Sequence, residues 1–247
     1  KPFAVNIPML YPAVEEHIAT VIAEKVPIVF TSAGNPAVWT RHLKDHGVKV
    51  VHVVASVKFA RKAEEAGVDA VVAEGFEAGG HNGREETTTL VLVPLVRDAV
   101  QVPVIAAGGI GDGRALGADG VQVGSRFVCT DESSAHPAFK QRVLEAKEGD
   151  TQLTLKELAP VRLIKNPFFE QVQAVYAQGG GKEELQAVLG RARAKKGMFE
   201  GDLVEGELEI GQVSAALREV VPAAEVVRQL MDEFRTARAA VNAWAHL

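Results

Sequence analysis

Apolar residues come first in short unbroken runs and later at helical spacing. The runs are PFAVNI (2–7), PIVFTS (27–32), KVVHVV (49–54), AVVAEG (70–75), VPVIAAG (102–108) and GVQVGS (120–125). A strand with one wet face alternates apolar and polar residues, so unbroken runs predict burial on both faces, as in a parallel sheet. Between them the spacing predicts helices over 13–24, 37–46, 56–66 and 90–99. Gly47 and Gly67 follow two of these helices as C-terminal caps. Strand starts recur about every 20–30 residues, the length of a βα unit.

The expected fold class is therefore α/β, and the expected architecture a TIM (β/α)8 barrel with two departures. Only six strands are visible, and the other two are expected upstream of Lys1. Between AAGGI (106–110) and GVQVGS stands only GDGRALGAD, too short for the roughly dozen residues of a parallel crossover with its helix. One connecting helix is thus expected to be absent, between Gly113 and Arg114 or nearby. Beyond Ser125 the periodicity turns helical, over 138–147, 182–195 and, in a long amphipathic stretch, 222–245. QGGG (178–181) reads as a loop, and EGDLVEGELEIGQ (200–212) as a turn leading into a helix or short lid. Residues 1–137 are expected to form an incomplete barrel portion. Residues 138–247 are expected to form a helical lid and C-terminal helices that partly complete it.

Composition narrows the function classes. The 247 residues are 47% hydrophobic and 24% charged, with a net charge of −5 and no basic block, so nucleic acid is not an expected partner. No apolar run approaches the ~18–20 residues of a membrane span, and no signal-peptide pattern is present. Cys129 is the single cysteine; no internal disulfide can form, and a reducing cytoplasm is the expected location.

In parallel α/β barrels chemistry sits at the carboxyl ends of the strands. Two adjacent strands here end in Gly108-Gly109 and Gly124-Ser125. Glycine lets backbone N–H groups approach phosphate oxygens, and a serine hydroxyl adds a donor. Tight βα turns would account for either pair alone; both together point to phosphate. Asn6 and Glu74 end two other strands and could bond a ring amide edge and a ribityl hydroxyl, or serve simply as strand-end caps. His81 follows Gly79-Gly80, on a loop able to carry an imidazole over a flat ring. A histidine can take a proton from a carbon acid near neutral pH. His42, His46 and His246 read as solvated helix residues, and His17, His52 and His136 have no metal-ligand spacing. Cys129 lies beyond the glycine loop with nothing to activate it and reads as a buried structural thiol.

These pieces resemble the nitronate monooxygenase family (formerly 2-nitropropane dioxygenases), whose superfamily also holds the FMN-dependent enoyl-acyl-carrier-protein reductase II. The matching segments are KPFAVNI, AGNP (33–36), AEGFEAGGHNG, PVIAAGGIGDG, ALGADGVQVGSRF, ESSAHP (132–137) and DLVEGELEIGQVSA (202–215). The resemblance implies an FMN-binding barrel with a helical insert. It implies Asn6, Glu74, Gly79, Gly80, Gly108, Gly109, Gln122, Gly124 and Ser125 at FMN, no metal, and His81 as the catalytic residue beside the flavin. The implied reaction is oxidation of alkyl nitronates or nitroalkanes with O2 to carbonyl compounds and nitrite. The alternative on the same scaffold is reduction by NADH of an enoyl thioester on acyl carrier protein, or of a quinone. Val53 stands where some monooxygenases carry lysine and leans toward the reductase, whereas QGGGKEEL leans toward the monooxygenase. The family's first strand, with its Gly/Met flavin loop, is missing from the sequence. A more remote reading is a non-redox phosphate-binding barrel, which would need a cysteine nucleophile before the glycines. The long C-terminal helix could pack on the barrel or form a homodimer.

Overall fold

The computed structural model describes residues 3–112 and 118–244. Its strands are β1 (Ala4–Pro8), β2 (Ile28–Ser32), β3 (Lys49–Val54), β4 (Ala70–Glu74), β5 (Gly80–His81), β6 (Val104–Ala107), β7 (Gly120–Gln122), β8 (Thr151–Thr154) and β9 (Val161–Ile164). The chain divides into two compact units. One comprises Lys1–Phe76, Glu85–Ala107 and Gly117–Gln122; the other comprises Glu77–Arg84, Gly108–Leu116 and Val123–Leu247.

The first unit is an α/β half-barrel sheet in the order β1-β2-β3-β4-β6-β7, with every pair parallel. Helices α1 (Val14–Ala23), α2 (Thr40–Asp45), α3 (Val57–Glu65) and α4 (Thr89–Ala99) connect the strands and pack on them. The unbroken runs bury both faces. One set of alternate residues includes Val29, Val50, Val54, Val71, Ala73, Val104 and Ala106, all buried, as are Ile18, Val21, Leu43, Ala60 and Val96 of the helices. The other set forms a second apolar cluster of Val51, Ala70, Val72 and Ala107, flanked by half-buried Ile28, Phe30, Val53 and Ile105.

Several boundaries differ from those the spacing predicts. The helix expected over 37–46 is a 3-10 turn (Pro36–Val38) followed by α2. Asn35 caps the turn, and Thr40 Oγ1 donates to the Pro36 carbonyl at 2.6 Å. The run VPVIAAG holds strand only over β6, because Pro103 has no N–H and Gly108 and Gly109 turn away with φ of +91° and +69°. GVQVGS is strand only through Gln122, and Ser125 already opens a helix. The helix expected to be absent near Gly113 falls on residues 113–117, outside those described, as does His246.

The second unit corrects the expectation of a purely helical appendage. It contains a three-stranded antiparallel sheet in the order β5-β9-β8. VRLI of β9 is buried at every position, with Arg162 in the middle. A charged residue inside a four-residue run conceals the strand signal. Around the sheet lie α5 (Ser125–Val128), α6 (Pro137–Leu144), α7 (Pro167–Ala177), α8 (Lys182–Leu189), α9 (Arg193–Met198) and α10 (Ala223–Trp244). The periodicity over 182–195 is thus two helices, separated at Gly190, whose φ is +60°. Phe168, Phe169, Val172 and Leu185 pack with Val161 and Leu163. Cys129, Phe139, Val143, Leu208 and Ile210 form a second core. Cys129 is fully buried, and that burial pushes its thiol up. No described helix is long and apolar enough to cross a membrane.

His52 lies in the buried rank of β3, where its Nδ1 shares a 2.7 Å hydrogen bond with Thr31 Oγ1. Burial, aided by Lys62, lowers its pKa to about 4. The folded chain therefore keeps His52 neutral at pH values where the unfolded chain protonates it. Its contribution is complete above the unfolded value of 6.5 and is lost as pH falls toward 4. Relative to His52→Gln, the wild type is expected to lose stability across that window. Urea midpoints at pH 7, 5.5 and 4 measure this; a constant difference would refute it.

Candidate functional site

At the carboxyl end of the parallel sheet, register brings Glu74, Ala107 and Gln122 into one row across β4, β6 and β7. Paired residues of neighbouring parallel strands share a face, so the Glu74 carboxyl and the Gln122 amide are borne on the same side. Burial pushes the Glu74 carboxyl up to about 7. Asn6 is placed elsewhere. It pairs with Phe30, in the row of Val51 and Ala70. That row lies four residues, or about 13 Å, toward the amino end from Glu74. Asn6 is exposed and borders an edge groove with Phe3, Tyr11 and His17. The stagger between neighbouring parallel strands separates Asn6 from that row, and strand-end position alone does not reveal it.

The second unit holds the remaining candidates. Asn82 ties the turn that carries His81: its Nδ2 donates to the carbonyls of Ala78 (2.9 Å) and Gly80 (3.0 Å), and its N–H donates to Pro160 O at 2.8 Å. The Asn82 Oδ1 is buried without a partner. Gly80 and His81 form β5 against Arg162 and Val161 of β9, and the imidazole is exposed. The turn is crossed by an extended strap, residues 207–211, which leads into a 3-10 helix (Gln212–Ala216). A Cβ at Gly79 would lie 2.4 Å from the Ile210 carbonyl carbon, so no larger residue fits beneath the strap. Gln212 N–H donates to the Glu77 carbonyl at 2.9 Å, and Gly211 N–H to Ser125 Oγ at 3.0 Å.

Along the strap side chains alternate. Leu208 and Ile210 enter the core, while Glu207 and Glu209 fall on the other side. Burial and neighbouring Glu209 push Glu207 up to about 7, against the pull of Arg193. Burial raises Glu209 too, opposed by attraction to His81. These acids lie on the strap beside the His81 turn, and the sequence alone does not single them out. The signal available is the ELEI alternation, in a segment whose sequence reads as a turn leading into a helix or short lid.

The glycine positions differ among themselves. Gly108 and Gly109 have positive φ, and Gly109 rests on the Glu77 side chain. Gly124 has no atom within 4 Å of where a Cβ would stand and has an ordinary φ of −107°. Its backbone is open to a ligand group, and beside it Ser125 accepts one hydrogen bond through Oγ and keeps its O–H to donate. That combination suits a phosphate oxygen. No group of three or more potential metal ligands occurs among the described residues.

A family model described as "Nitronate monooxygenase" matches residues 3–233. The chain belongs to the nitronate monooxygenase family. The family is one of oxidoreductase enzymes, as its name states. A probable nitronate monooxygenase of Bacillus subtilis is 36% identical over 207 residues, covering 78% of this chain and 59% of that protein. One from Staphylococcus aureus is 38% identical over 172 residues, covering 63% of this chain and 48% of the relative. The chain thus spans only about half to three-fifths of the length of these relatives. FabK from Thermotoga maritima superposes with a TM-score of 0.91 at 39% identity, covering 99% of this chain and 79% of FabK. Nitroalkane oxidase from Streptomyces ansochromogenes superposes with a TM-score of 0.77 at 30% identity, covering 98% and 82%.

Within this family member, the strap contact at Gly79 gives a direct test. Gly79→Ala should lift the strap from the turn and raise amide hydrogen exchange at Gly211 and Gln212 at least tenfold, read by mass spectrometry. Unchanged protection there would refute the contact.

Proposed function

We propose that the chain is an FMN-dependent oxidoreductase that oxidises alkyl nitronates or nitroalkanes with O2 to carbonyl compounds and nitrite. The observation that carries this reading is the exposed His81 imidazole, held on a tied Gly-Gly turn in the unit that also presents open backbone at Gly124-Ser125. The family membership, the probable nitronate monooxygenases and the nitroalkane oxidase support the same substrate class. In this reading the six-stranded sheet belongs to an eight-stranded TIM barrel whose other strands lie outside the sequence given. Residues 1–137 are the FMN-binding portion and 138–247 the lid. A cytoplasmic location and a homodimer belong to the same proposal.

Bound FMN would supply the electron transfer and its reoxidation by O2. Gly108, Gly109, Gly124 and Ser125 would hold its phosphate, with Gly79 and Gly80 leaving room beside it. Glu74 and Gln122 would offer hydrogen bonds to its sugar chain or ring, and Asn6, four residues from their row, would meet it least directly. His81 would take the α-proton of a neutral nitroalkane, breaking the C–H bond and leaving its electron pair on the substrate. Toward a substrate that arrives as the nitronate, the imidazole would instead attract the anionic oxygens.

The second reading is an FMN- and NADH-dependent enoyl-acyl-carrier-protein or quinone reductase. It is favoured by Val53, which packs in the apolar cluster of the sheet where a lysine would supply a charge.

Anaerobic mixing of the FMN-loaded protein with propyl-2-nitronate or with NADH separates the two. Flavin reduction by the nitronate alone supports the oxidation; bleaching by NADH alone overturns it in favour of the reductase. His81→Asn should slow neutral nitroalkanes by about 100-fold or more and nitronates far less. Equal losses would refute the base role. Gly124→Ala should leave the melting temperature of the apoprotein unchanged and weaken FMN binding about tenfold or more by fluorescence titration. Unaltered affinity would refute the phosphate site.

A further inference from the structure

The His81 turn has a partner that the proposed reaction does not yet use. An antiparallel bridge joins Glu209 to Leu163, while β5 pairs His81 with Val161. Glu209 and His81 are therefore carried along one edge of β9, two residues apart, or about 6.8 Å by strand repeat. The Glu209 Oε2 stands 2.7 Å from where a Cβ of Gly80 would lie. A side chain at residue 80 would push the carboxylate away, so the second glycine of the pair makes room for this acid. Among the described residues, His81 draws Glu209 toward its charged form. The other charges nearby are Glu207 on the strap, Arg193 acting on Glu207, and buried Arg162 opposite Gly80 on β9.

We propose that Glu209 is a positioning residue for His81, stabilising the imidazolium formed when the substrate's proton arrives. This rests on the proton role proposed above. The C–H bond breaks, the proton passes to a ring nitrogen, and the electron pair stays on the substrate. The imidazolium then faces a carboxylate across a half-buried gap, where opposite charges attract more strongly than in bulk water. The proton leaves to solvent from the exposed ring. The same negative charge repels an anionic substrate, so Glu209 sets a preference for neutral nitroalkanes over preformed nitronates.

Glu209→Gln removes the charge at constant size, and Glu209→Asp keeps the charge on a shorter arm. For the FMN-loaded enzyme, Glu209→Gln should lower kcat/KM for a neutral nitroalkane about tenfold, one pKa unit's worth of interaction. It should leave the rate with the nitronate unchanged or faster, and Glu209→Asp should recover part of the loss. Equal effects on both substrates, or none, would overturn the proposal. A second measurement needs no turnover: the Glu209 carboxyl is followed by 13C NMR against pH in the wild type and in His81→Gln. Loss of the imidazole should move its titration to higher pH. An unmoved titration overturns the pairing. If neither substrate turns over in the wild type while the titration does move, the proposed activity fails and the pairing stands.

Discussion

The candidate chemistry depends on one close backbone approach. The strap passes over the loop at Gly79 with its Ile210 carbonyl carbon so near that a methyl group has no place between them. Everything distinctive about the second unit's site follows from that contact. It lets Gln212 bond the Glu77 carbonyl and Gly211 bond Ser125, stitching the turn, the strap and the start of α5 together. It also sets the phase of the strap: once Leu208 and Ile210 enter the core, Glu207 and Glu209 must fall on the opposite side. Acidic groups are costly to bury unpaired. Both carboxyls are accordingly driven toward their neutral forms, except where Arg193 or His81 opposes that.

Glycines here do different jobs that the letter alone does not distinguish. Gly79 is required by a neighbour's backbone, Gly80 by a positive φ and the nearby Glu209 carboxylate, and Gly124 by no neighbour at all. An unconstrained glycine with ordinary dihedrals is the one whose missing side chain is best explained by a ligand. That contrast separates glycines the fold requires from one it does not.

Buried ionisable groups divide in the same way. His52 is neutral in the core of the first unit, satisfied by Thr31, and contributes packing. Glu74, at the carboxyl end of its strand, sits in the row of Gln122, where barrel enzymes place polar contacts. Position along the strand distinguishes the two: His52 lies mid-strand, and Glu74 at the carboxyl end.

The apolar runs alone determined the parallel sheet. Six β-rich segments spaced by helical patterns leave few other arrangements, and their unbroken character required burial on both faces. Strand-end glycines and the GGH turn were equally legible, because each is a local chemical signal, and with them the family. Tertiary structure decided the rest. β8 and β9 were hidden because four-residue strands are too short to carry a clear period, and in β9 Arg162 also interrupts the apolar run. Asn6 and Glu74 looked equivalent as strand-end residues until register set them four residues apart. Glu209 lies 128 residues after His81 in the chain; only the strap's path across the Gly79 turn, a contact that leaves no periodic trace in the sequence, makes them neighbours.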